Sequence, residues 1–125
     1  MVRLTKIALH RAWAESVYVT GEFNGHVDFD PDATKEDRDQ SKTKDSDVLL
    51  SRFSADAKDG RFLWHQCWGG TGVDVGEDLA IDKSGNIFLV GSFSNSVDFD
   101  PRLFHKDNRS SHGQADCFLM KVVPK

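Results

Sequence analysis

Short apolar runs broken by turn residues dominate the chain, and few segments carry helical spacing. Residues 87–90, Ile-Phe-Leu-Val, are continuously apolar, as expected of a strand covered on both faces. Asp78-Leu-Ala-Ile-Asp82 precedes this run across Lys83-Ser-Gly85, a short glycine-containing turn. The two runs therefore predict a hairpin. Residues 48–53 and 62–68 flank Ala55-Asp-Ala-Lys-Asp-Gly60 and predict a second one. Within 62–68, Trp64, Gln66 and Trp68 fall on one face, and Leu63, His65 and Cys67 on the other. That mixed alternation is the pattern of an outer, partly wet strand. Residues 5–9 and 16–21 read as a degenerate copy of the first hairpin, with Ala12-Trp-Ala-Glu15 at its turn.

The pattern repeats. Residues 17–31 align with 87–101 at an offset of 70, with seven of 15 positions identical: Gly21/Gly91, Phe23/Phe93, Val27/Val97, Asp28/Asp98, Phe29/Phe99, Asp30/Asp100 and Pro31/Pro101. A second block, Asp47-Val-Leu-Leu-Ser-Arg-Phe53, matches Asp116-Cys-Phe-Leu-Met-Lys-Val122 at an offset of 69. Order and spacing agree, so the unit is an all-β repeat of four antiparallel strands in meander order, the arrangement of a β-propeller blade. The first blade-type unit occupies 1–70, with strands near 4–10, 16–23, 47–54 and 62–68. The second occupies 71–125, with strands near 77–82, 87–93 and 117–123, and lacks an outer strand. Loops 32–46 and 102–116 join second to third strands. The first is dense in both charges with little apolar anchoring, which predicts a mobile, solvated segment.

The strings LAIDKSGNIFLVGSFSNSVDFDP, FLWHQCWGGTGVDVGED and DVLLSRFSADAKDGRFLW resemble the bacterial β-propeller repeat family often called SBBP, over about residues 16–123. The resemblance implies a propeller within large, mostly secreted or cell-surface bacterial proteins, and it carries no general catalytic residues. The expected function is a non-enzymatic scaffold or interaction module. The alternative from another class is a lectin-like, carbohydrate-binding propeller assembled from several chains. Fewer than two blades cannot close a ring, whose usual size is about 4–8 blades. Self-association through open blade faces, or membership of a longer propeller, is therefore expected. The apolar stretch Ile7-Ala8-Leu9 is broken by His10 and Arg11, too short for the core of an export signal. A cytoplasmic location thus stays open beside the extracellular one.

Composition narrows the partners. Sixteen Lys and Arg against twenty Asp and Glu leave a net charge of −4 on 125 residues. A nucleic-acid binder needs a basic face to replace phosphate counterions, so that class is not expected. No apolar run has the length of a membrane-spanning helix.

Few residues promise chemistry. Asp28, Asp30 and Asp32 sit at alternate positions, where an extended segment places three hard-oxygen donors on one side, a candidate Ca²⁺ site. The competing reading has these aspartates bonding turn N–H groups ahead of proline. The second copy has Arg102 in place of the third aspartate. Trp13 and Trp64 are candidate sugar-stacking rings, weighed against packing between blades. Gly69-Gly-Thr-Gly72 lacks the Lys-Ser/Thr of a phosphate cradle and reads as a turn. The five histidines show no HxH or HxxxH spacing, so zinc is not expected. Cys67 and Cys117 are expected to be free, buried thiols. No cofactor is expected apart from the candidate Ca²⁺.

Overall fold

The computed structural model describes residues 1–10, 16–55, 60–100 and 106–123, without the side chains of Leu9 and His10. Trp13 and Arg102 lie outside the described residues. Among the described residues, eleven strands follow in chain order: β1 (Val2–His10), β2 (Ser16–Phe23), β3 (His26–Asp28), β4 (Arg38–Gln40), β5 (Asp47–Ser54), β6 (Phe62–Trp68), β7 (Asp74–Ile81), β8 (Ile87–Phe93), β9 (Ser96–Asp98), β10 (Asn108–Ser110) and β11 (Asp116–Val122). Among the described residues the protein is all-β and antiparallel, with no closed barrel. No helix of the described residues is long and apolar enough to cross a membrane.

The first sheet has the order β1-β2-β5-β6, a four-stranded meander. The second has the order β11-β8-β7. Two small ribbons, β3/β4 and β9/β10, complete the pairing. The internal repeat is reproduced in the register itself. In the first sheet Leu4 pairs with Gly21 and Lys6 with Thr20, leaving Thr5 as the extra residue of a bulge. In the second, Gly76 pairs with Gly91 and Asp78 with Val90, leaving Glu77 in the same place. Glycine is required opposite each bulge. A Cβ on Gly21 would stand 1.9 Å from the Arg3 carbonyl oxygen, and one on Gly91 would stand 2.0 Å from that of Val75. The bulge pushes the partner's backbone into space that a side chain would occupy.

The ribbons repeat just as closely. Asp28 Oδ1 accepts the N–H groups of Asp30 (3.1 Å) and Asp37 (2.9 Å), and Asp98 Oδ1 accepts those of Asp100 and Asp107 (both 2.9 Å). Phe23 meets Phe29 edge-on at 5.2 Å, and Phe93 meets Phe99 at 5.3 Å. Loop 32–46 is exposed over most of its length, as expected, but these contacts give it regular structure as well. Its residues 38–40 pair with β3, and the buried Ser41 hydroxyl accepts the Gly25 N–H at 2.9 Å. The segment has almost no apolar residues of its own. Its order comes from backbone pairing and aspartate caps, with Val27 and Phe29 as the apolar anchor on the preceding arm.

The second sheet covers one face of the first, with β7 lying against β1, β2 and β5. The main core fills the space between them: Tyr18, Val48, Leu50 and Trp68 from the first sheet meet Leu79, Ile87, Leu89, Phe93 and Phe118 from the second. Lys6 Nζ reaches Asp78 Oδ1 across the junction at 3.4 Å. A smaller cluster (Val19, Phe23, Leu49, with Phe29, Phe53 and Cys67) lies on the opposite face of the first sheet, half-roofed by the β3/β4 ribbon.

Candidate functional site

Two features stand out among the described residues: sheet faces that no other element covers, and a polar cluster under the first ribbon. The faces follow from the repeat. Leu50 pairs with Thr20 on the covered face of the first sheet, and both are fully buried. Leu119 and Val90 hold the corresponding places in the second sheet and are 68% and 39% exposed. On the outer face of the first sheet Ile7 is 64% exposed, whereas Leu79, its counterpart in the repeat, is 5% exposed. Among the described residues no strand pairs with the far edge of β11, which borders an open groove of about 640 Å³ lined by Phe99, Asp107, Arg109, Phe118 and Met120. In the first sheet β6 occupies the matching edge.

The polar cluster is built from β6 and the β3/β4 ribbon. His65 and Cys67 share a face of β6, two residues apart, as the alternation required. The ribbon lays Asp37 and Asp39 over them. His65 Nδ1 lies 2.8 Å from Asp37 Oδ2, and Nε2 lies 3.1 Å from Asp39 Oδ2. Phe29 stacks on the imidazole at 4.4 Å with an 11° tilt. The donor atoms of Asp39, His65 and Cys67 all lie within 4.8 Å of one another, the one such group of three or more among the described residues.

Electrostatics set these groups apart. Burial pushes the Cys67 thiol well above its ordinary value, and the neighbouring Asp39 carboxylate adds to the rise. Burial also pushes Asp39 up, but the Gln40 N–H and His65 outweigh it and hold its carboxyl below the usual range. At the base of the sheets Asp47 and Asp74 are both buried. Burial raises Asp47 to about 6, although the Lys42 N–H donates to its Oδ2 at 2.8 Å. Burial and then the charge of Asp47 raise Asp74 to about 7.

The candidate calcium residues lie elsewhere. Asp30 Oδ1 accepts the Asp32 N–H at 2.9 Å, and Asp32 Oδ1 accepts both the Thr34 N–H and its hydroxyl. Together with the Asp28 caps, these carboxylates serve as a ladder of turn acceptors, and the three do not gather into a donor group. Trp64 is half-buried in the main core, edge-on to Tyr18 at 6.2 Å. Trp13, its partner in the sugar-stacking reading, is outside the described residues. Both thiols are free, but the expectation of burial needs correcting: Cys67 is half-buried and Cys117 is exposed. Cys117 sits where the first sheet has the buried Val48, on the face that no third sheet covers.

Sequence reasoning passed over Asp37, Asp39 and the His65–Cys67 pair as a site. The His-x-Cys spacing on a strand was the available signal, but its carboxylates come from a ribbon 26–28 residues away. No protein-family model, curated protein or solved structure matches the chain.

Proposed function

We propose that this chain is a β-propeller-type repeat module, a non-enzymatic scaffold that works by stacking its sheets on further copies of the same repeat. One observation carries the reading: equivalent positions are buried where a neighbouring sheet lies on them and exposed where none does. Leu50 and Leu119 form such a pair, as do Leu79 and Ile7. Apolar residues on an open sheet face favour association, at roughly 25 cal/mol per Å² removed from water. The two open faces are complementary by construction, because the Leu50 face of the first sheet and the Leu79 face of the second already form the main core. The occupant is therefore a second copy of the chain, arranged head to tail. The resemblance to secreted bacterial propellers supports a surface or extracellular setting.

Sedimentation velocity at micromolar concentration tests the reading. The expected species has a mass that is a multiple of 14.0 kDa. Leu119→Lys and Ile7→Asp should each shift it toward the monomer with the circular dichroism spectrum unchanged. A stable, folded monomer of the unmodified chain would sink the proposal.

A further inference from the structure

We infer that Asp39, His65 and Cys67 form a zinc site, one per chain, in which Asp37 orients the histidine. Three donor types suited to a borderline d-block ion converge here: a carboxylate oxygen, an imidazole nitrogen and a sulfur, with their donor atoms within 4.8 Å of one another. The sulfur argues against Ca²⁺ and Mg²⁺, which take oxygen donors. Zinc fits the count as well, since three protein ligands leave a fourth tetrahedral position for water. The Asp39 side chain is 41% exposed, so solvent reaches that side.

The surroundings match what a metal-bound histidine needs. Such an imidazole usually gives its other N–H to a carboxylate, which sets the tautomer and ring direction. Asp37 Oδ2 stands 2.8 Å from His65 Nδ1 and does this, leaving Nε2 for the ion beside Asp39 and Cys67. The stacked Phe29 ring, with Phe62 tilted at 6.4 Å, limits rotation of the imidazole. Beside the cluster, the buried Oδ1 of Asp47 has no hydrogen-bond partner among the described residues. On binding, Cys67 coordinates as thiolate and its proton passes to solvent. The repeat restricts the site to the first unit: Arg109 occupies the place of Asp39 in the second ribbon.

The chain, stripped with EDTA and kept reduced, is titrated with Co²⁺ and then Zn²⁺ alone. One Co²⁺ per chain should produce tetrahedral visible bands and a near-ultraviolet thiolate-to-cobalt band, both removed by Zn²⁺. Cys67→Ser should abolish the thiolate band, and Cys117→Ser should leave it intact. His65→Asn and Asp39→Asn should weaken binding more than about tenfold, and Asp37→Asn by about tenfold with stoichiometry kept, as expected of an orienting partner. Zinc should also shield Cys67 from alkylation in the unmodified chain while Cys117 keeps reacting, a readout that needs no folded variant. Absence of the thiolate band, or equal alkylation of both cysteines with and without zinc, overturns the assignment. A Co²⁺ signal that survives Cys67→Ser and follows Cys117 does the same.

Discussion

The two sheets share a register down to the bulge, yet their corresponding residues live in different surroundings. Leu50 and Leu119 each sit on the third strand of a repeat, opposite Thr20 and Val90. Leu50 is fully buried because the second sheet lies over it through β7, while Leu119 is 68% exposed. The backbone is therefore specified repeat by repeat, and burial is specified by the next sheet along. A hydrophobic position in such a chain is a potential contact, which becomes core only when a neighbour arrives.

The largest test of this difference is truncation at the paired sites. Leu50→Ala should destabilise folding by about 2–5 kcal/mol, the usual cost of an emptied leucine site. Leu119→Ala should change unfolding by less than about 0.5 kcal/mol in dilute protein. Urea denaturation of both variants checks it, and equal effects would erase the distinction between a covered and an open face.

The two bulges should respond alike, because their cause is local. Gly21→Ala and Gly91→Ala each drive a methyl into a facing carbonyl oxygen, and each should cost about 1–3 kcal/mol. A large loss at one position alone would show that the register repeat does not carry the same strain in both sheets.

The buried carboxyls separate the repeats through pH. Asp47 and Asp74, raised to about 6 and about 7, still hold protons between pH 4 and 7 that the unfolded chain has released. Stability should therefore rise as the pH falls from about 7.5 to 5.5, on the order of 1–2 kcal/mol, and fall as the pH rises through that window. Denaturation in EDTA at both pH values measures it. Asp74→Asn should flatten the slope, and a stability that rises with pH would contradict the assignment.

The smallest contrast concerns the turn caps. Asp28→Ala and Asp98→Ala each leave two backbone N–H groups without their acceptor, and each should cost about 1 kcal/mol. Asp30→Ala, which frees one exposed N–H, should cost less. Thermal melts of the three variants rank them, and a dominant Asp30 effect would revive a role for that carboxylate beyond turn capping.

Much of this architecture was legible before any coordinates. The hairpins were visible because glycine bulges, turn residues and continuous apolar runs act over a few residues. The β3/β4 and β9/β10 ribbons were not, because Arg38–Gln40 and Asn108–Ser110 are polar throughout and pair through backbone and caps. The His65 cluster was half legible: His65 and Cys67 were placed on one face, but nothing near them announced Asp37 and Asp39.

The linear order of residues thus determined the long strands of the two sheets and the repetition of one unit, since each depends on contacts within a hairpin or its turn. Which faces became core was decided only when the second sheet settled on the first, because burial is a relation between layers. The same holds for Asp39, His65 and Cys67. A polar ribbon had to fold back over β6 before three unremarkable side chains shared one small volume.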